Sequence, residues 1–146
     1  MKTITGILLF SLISLHTGRI YRLVYKDMGN HGDLLGNFMD DYGIRYTVTD
    51  SLWTQHPSSK YHILKWNVKE QYIIARNDDK NPGDKGLYTR IDYMPFANME
   101  PFLWGFCLSA FNAKTDSLAE ATGPADRDNP KKGCNGFPFS RMKRIK

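Results

Sequence analysis

The sequence predicts a mainly β protein: an antiparallel meander that forms a small barrel or a strongly curled sheet, with one short helix. Tyrosine and phenylalanine, which favour strands, contribute 8 residues each. Apolar and polar residues alternate in several short runs, which is typical of half-buried strands. Polar turns separate these runs at intervals of about 15 residues, as in a meander. A meander of that many strands must curl or close to hide its edges.

The first 18 residues are interpreted as a signal peptide. Lys2 precedes a nearly apolar run, Ile4 to Leu15, which suits the core of a signal peptide and is too short to span a bilayer. A buried strand or helix of the mature fold is the alternative for this run. We expect residues 1–18 to direct export to the periplasm or the exterior, residues 19–146 to form a single β domain, and no segment to be transmembrane.

Several runs along the chain are predicted as strands. The clearest is Ile44 to Asp50, in which apolar and polar residues alternate from residue 44 to 49, with Leu52 and Trp53 as an extension. Pro138 cannot donate to a sheet ladder, which places the last predicted strand at an edge. The runs are, in order, residues 19–26, 44–50, 61–66, 71–76, 87–96, 102–111 and 137–142.

The segment 115–122 is predicted as the one helix. Ser117 and Glu120 match a capping box, and Gly123 followed by Pro124 ends the helix. The residues able to cap its N-terminus are Thr115, Asp116 and Ser117.

Cys107 and Cys134 are the two cysteines of the chain. An even number of cysteines in an exported chain predicts one disulfide. Two buried thiols are the alternative for a cytosolic protein. Neither the cysteines nor the 4 histidines have the spacing of a zinc site, so no metal and no cofactor is predicted.

The chain has a formal net charge of +5. This charge is spread along the sequence and forms no dense basic stripe, so we do not expect nucleic-acid binding. Arg45, Arg76 and Arg90 each lie within a predicted strand, and a guanidinium group suits carboxylate or phosphate recognition. If these side chains face a barrel interior, they form a cavity for a polar or anionic ligand. On the solvent side they would pair with aspartates.

The most promising face belongs to the strand at 87–96. Tyr88, Arg90 and Asp92 follow one another at intervals of two residues and therefore share one side of that strand. His62 and Trp66 share a side of another strand and could line the same pocket. The predicted ligand-binding residues are Arg45, His62, Trp66, Arg76, Tyr88, Arg90 and Asp92.

The run Leu35-Gly36-Asn37-Phe38, ahead of the meander, resembles the opening of lipocalin-like (calycin) barrels. That family has Gly-x-Trp near the start of its first strand, with a basic residue from the end of the barrel packed over the Trp. Here Gly36 matches the glycine, Phe38 stands at the Trp position, and Arg141 or Arg144 is the candidate basic partner. The resemblance covers roughly residues 34–145 and implies a ligand in the barrel mouth. The chain is also similar to small exported bacterial proteins of unassigned function.

Three functional hypotheses follow. The leading one is an exported, non-enzymatic protein that binds a small apolar or anionic ligand in a partly aromatic, arginine-containing barrel pocket. The second is an enzyme that uses a polar pocket around Arg90 and Asp92. The third is a surface or interaction protein without a cavity. Whether Arg45, Arg76 and Arg90 converge would separate a pocket from a packed core.

Overall fold

The computed structural model describes residues 31–146, which form a closed barrel of eight antiparallel strands in sequence order. The predicted mainly β meander is thereby confirmed. The strands are β1 (Gly36–Asp40), β2 (Arg45–Val48), β3 (Leu52–Gln55), β4 (Ser59–Asn67), β5 (Tyr72–Asn77), β6 (Tyr88–Pro95), β7 (Phe102–Ala113) and β8 (Ser140–Arg144). A 3-10 turn, His31–Leu34, precedes β1, and helix α1 (Asp116–Ala121) lies between β7 and β8. The expected signal peptide and the strand expected at 19–26 lie outside the described residues.

The barrel closes where its first and last strands pair. Phe38 of β1 lies opposite Arg144 of β8. The guanidinium carbon of Arg144 sits 4.7 Å from the centroid of the Phe38 ring, and its nitrogens donate to the carbonyls of Leu35 and Asp33. Gly36 has a φ of +125°, and a Cβ there would come within 2.5 Å of the Arg144 guanidinium. The barrel is thus compatible with a lipocalin-like fold, and Arg144, not Arg141, covers the aromatic ring.

Two predicted strands differ from the observed ones. The run from residue 44 to Trp53 divides into β2 and β3, because the Thr49 N–H donates to the Leu52 carbonyl and turns the chain. Val48 and Trp53 then lie opposite each other and both point inward. The last strand begins at Ser140, after Pro138, and closes the barrel between β7 and β1 instead of lying at an edge.

Aromatic side chains fill the part of the barrel around β1, β2, β3 and β7. The ring centroids of Trp53 and Trp104 are 5.8 Å apart, and those of Phe38 and Trp104 are 5.0 Å apart, both in edge-to-face geometry. Phe106 lies 5.1 Å from Trp53 in the same manner. Such contacts add to the stabilisation that burial alone gives these rings. This region is therefore a packed core.

The connection between β7 and β8, residues 114–139, packs on the outside of the barrel. Ala119 of α1 is buried against Tyr72 and Ile74 of β5. The predicted Cys107–Cys134 disulfide is present and fastens the connection to β7. Its Cα atoms are 5.4 Å apart, within the usual range for disulfides.

Helix α1 begins with one of its three candidate caps. The Thr115 hydroxyl accepts a hydrogen bond from the Leu118 N–H at 3.1 Å. The Glu120 carboxylate does not complete a capping box; it accepts from Lys65 and from the Tyr72 hydroxyl on the barrel. Within residues 31–146, no helix is long and apolar enough to cross a membrane.

Candidate functional site

The three strand arginines lie on the outer face of the barrel and do not converge. Arg45 is exposed on β2. Arg76 bonds Asp79 at 2.7 Å, and the His62 ring lies 2.7 Å from the Asp78 carboxylate. These pairs are exposed, and exposed pairs contribute little to stability. The hydrogen bond from His62 is the main reason why the pKa of Asp78 lies below its usual value.

Trp66 lies apart from these charged groups, against the aromatic core. Its indole N–H donates to the Asp50 carbonyl at 2.8 Å, and its ring centroid is 4.1 Å from that of His31. Trp66 is half-buried where the β2–β3 turn meets the 3-10 turn. Its contacts join these segments to β4.

Tyr88, Arg90 and Asp92 share the outer face of β6, beneath α1 and the residues that follow it. Asp92 is fully buried, and Arg90 is 5% exposed. The carboxylate accepts two hydrogen bonds from Arg90, each of 3.0 Å, and one of 2.9 Å from Arg127. The Ser109 hydroxyl and the Ala125 N–H also donate to it. Asp92 is thus surrounded by donors and has no contact with solvent.

The two arginines of this buried cluster also hold the backbone of neighbouring segments. Arg90 lies 4.0 Å over the Tyr72 ring and donates to the Glu120 carbonyl at the end of α1. Arg127 donates to the carbonyls of Tyr93, Gln71 and Glu70. The cluster therefore clamps the β7–β8 connection onto the barrel. Arg127 was not among the predicted site residues, because it lies in a polar loop without strand or helix periodicity.

An apolar groove of about 680 Å³ lies on the outer surface of the barrel. Its lining comes from the β1–β2 turn, the β6–β7 connection and the residues leading into β8. Apolar side chains predominate: Met94, Phe96 and Phe139 contribute buried or half-buried surface, and Tyr42 and Met99 contribute exposed surface. None of the predicted ligand-binding residues lines this groove.

Gly105 of β7 allows two aromatic rings to lie close to the sheet beside the groove. A Cβ at this position would be 2.7 Å from the Cζ atom of Phe96 and 3.3 Å from the Cβ of Phe139. A Cβ there would force the Phe96 ring to shift, so the glycine allows Phe96 and Phe139 to lie directly over the backbone of β7. A glycine inside a strand often marks such a close approach, and it is the sequence signal that could have indicated the groove.

Three charged residues line the groove. Arg141 donates from Nε to one carboxylate oxygen of Asp41 at 3.0 Å, and its backbone N–H donates to the other at 3.1 Å. The charges of Arg141 and Asp41 therefore cancel. Lys131 is exposed and forms no ion pair with any residue in the range 31–146. Within the described residues, the groove therefore has an apolar lining and one positive charge without an acidic partner.

Metal binding has no support in the described part of the chain, where no cluster of three or more His, Cys, Asp or Glu side chains is placed to hold an ion. Comparison of the chain with models of known families, with curated proteins and with solved structures found no match.

Proposed function

We propose that the protein is an exported binding protein for a small amphipathic carboxylate, held in the groove on the outside of the barrel. The observation that carries the proposal is the apolar groove with Lys131 at its side. A volume of about 680 Å³ falls within the range of ligand pockets, ~300–1,000 Å³. Such pockets are typically apolar with a few polar groups that orient the ligand.

The packed aromatic core favours the outer groove over the barrel interior as the binding site. Trp53 and Phe38 are at most 1% exposed, and a ligand between them would have to displace edge-to-face contacts. The groove offers apolar surface without such a displacement. Tyr42 is 69% exposed and Met99 is 38% exposed, so a bound apolar ligand would remove both from water.

Export is supported by the Cys107–Cys134 disulfide. Structural disulfides persist in oxidising compartments and are rare in the cytosol. Mass spectrometry of the protein, isolated from its producing cells without reductant, tests export. It measures both the state of the two cysteines and the N-terminal residue of the mature chain. A mature chain that starts at Met1 with two free thiols would contradict export.

Calorimetric titration with a medium-chain fatty acid and with the alcohol of the same chain length tests the binding proposal. Ala97→Trp places a large ring at an exposed position in the groove, and we expect it to weaken binding about tenfold or more. Ala121→Trp is the matched control, since Ala121 is also exposed and lies at the end of α1, outside the groove. The absence of binding to both ligands, or equal binding by the two variants, would refute the proposal.

Lys131→Gln tests the recognition of the carboxylate. We expect this variant to lose affinity for the fatty acid and to retain affinity for the alcohol, because only the acid carries a charge for Lys131 to neutralise. Lys132→Gln is the control, since the neighbouring lysine is exposed but does not line the groove.

A further inference from the structure

A basic surface lies on the outer face of β8, β1 and β2. The register places Lys143, Met39 and Arg45 in one row across these strands. His56 continues the row, since its N–H donates to the Arg45 carbonyl at 2.9 Å. The row contains no acidic residue, and we call it the basic row.

Arg45 differs from the other arginines within residues 31–146. Arg76, Arg90, Arg127 and Arg141 each donate to a carboxylate, and Arg144 donates to two carbonyls. Among these described residues, Arg45 alone has no acceptor for its guanidinium group. A forked donor that projects from a rigid strand without a partner is suited to an external anion.

A shallow pocket of about 320 Å³ lies beside Arg45. The side chains that bear on its chemistry are Asn37, Arg45, Thr47, His56 and Lys146. Arg45 and Lys146 carry positive charge, and His56 does so when protonated. No aspartate or glutamate lines the pocket, and neither Arg45 nor Lys146 pairs with an acid within residues 31–146. The side chains that line the pocket therefore carry a net positive charge.

A hydrogen-bonded chain orders the polar side chains of this pocket. The Thr47 hydroxyl donates to Asn37 Oδ1 at 2.9 Å. Because this uses the only hydroxyl hydrogen, the contact of 3.0 Å between Thr47 Oγ1 and His56 Nε2 requires the histidine to donate. Within residues 31–146 the amide N–H groups of Asn37 have no acceptor, so they are available as donors. The pocket thus offers charged and neutral donors to one acceptor.

We propose that this pocket binds a phosphate-class oxyanion, either free phosphate or the head group of an anionic lipid. Arg45 supplies a two-pronged donor, Lys146 supplies a point charge and Asn37 supplies a neutral N–H. The groove of the proposed function shares no lining residue with this pocket. The oxyanion site can therefore be tested independently of the groove.

Titration with inorganic phosphate at constant ionic strength, followed by amide NMR shifts, tests the site. We expect saturable shifts at Asn37 and Thr47 and affinity reduced about tenfold or more by Arg45→Gln, since hydrogen bonds to charged groups are the stronger ones. Arg76→Gln is the control; it removes the same charge from an exposed position on β5 outside the pocket. NMR shifts of Asn37 and Thr47 that grow without saturation, together with no binding to vesicles, would overturn the proposal.

Vesicle sedimentation distinguishes the two sources of oxyanion. Vesicles of phosphatidylcholine alone are compared with vesicles that also contain phosphatidylglycerol. Saturable phosphate binding without vesicle binding assigns a free oxyanion. Binding to the anionic vesicles that is lost in Arg45→Gln and kept in Arg76→Gln assigns a lipid head group. Equal losses in the two variants, in either assay, would show non-specific attraction to a basic protein and refute the site.

Discussion

The carboxylate of Asp92 is the group whose loss we expect to destabilise the protein most. Asp92→Asn keeps the shape of the side chain and removes its charge. The side chains of Arg90 and Arg127 are only 6% and 23% exposed, and both guanidinium groups would lose their anionic partner. Removing one partner of a buried ion pair costs about 3–5 kcal/mol. We expect a loss in that range, because Arg90 keeps only the Glu120 carbonyl and the Tyr72 ring.

Urea unfolding followed by tryptophan fluorescence measures this loss, since Trp53 and Trp104 lie in the core. Asp79→Asn is the matched control. The Asp79 side chain is 72% exposed and also pairs with an arginine, so its loss should cost less than about 1 kcal/mol. The difference between the two aspartates measures the effect of burial.

A loss below about 1 kcal/mol in Asp92→Asn would refute the reasoning, because the buried cluster would then contribute no more than an exposed pair. A variant that does not fold leaves the midpoint unmeasured, and Ser109→Ala then serves as the second test. It removes one donor to Asp92 and should cost about 1–2 kcal/mol. No loss in Ser109→Ala would contradict the assignment of Asp92 as the centre of the clamp.

Three further outcomes are expected from urea unfolding. Replacing Cys107 and Cys134 by serine should lower the free energy of unfolding by about 2–5 kcal/mol, and unchanged stability would contradict a structural role for the disulfide. The hydrogen bond from Lys65 lowers the pKa of Glu120 in the folded protein. The ionised Glu120 side chain therefore contributes stability above pH 4.5, the pKa of the unfolded chain, and this contribution is lost as the pH falls below that value. Glu120→Gln should flatten this acid dependence. Burial raises the pKa of Tyr93 to about 12, so stability should fall above the unfolded value of 10.0, by up to about 1.4 kcal/mol per pH unit, and Tyr93→Phe should reduce that slope.

Strands β4 to β7 could be predicted because their signal is local. Between Ser59 and Ala113, short runs rich in apolar and aromatic residues, separated by polar turns, mark β4 to β7, and the observed strands differ from the predicted ones by only a few residues at each end. The β2–β3 turn at residues 49–51 escaped prediction since it contains neither glycine nor proline. The Thr49 side chain makes this turn by exchanging hydrogen bonds with Leu52.

The shared face of Tyr88, Arg90 and Asp92 was predicted correctly, but its surroundings were not. Strand periodicity shows which residues share a face. It does not show what covers that face. Here α1 and Arg127 cover it, and both come from a connection far along the chain. Contacts of that kind depend on packing between distant segments and leave no periodic pattern in the sequence.

The candidate groove was beyond sequence prediction for a related reason. Tyr42, Ala97 and Lys131 come from three different connections, and only the closed barrel brings them together. Each of them reads as an ordinary loop residue. Gly105, inside a predicted strand, was the one local indication of a close approach at this surface.

The pairing of β1 with β8 also constrains the folding pathway. Until Ser140–Arg144 is in place, β1 and β7 each expose an unpaired edge, and Arg144 cannot cover Phe38. Open strand edges recruit other chains, and contacts between residues this distant in sequence form slowly. A chain truncated after residue 139 should therefore associate through these edges. The barrel therefore closes only when β8 has paired with both β1 and β7.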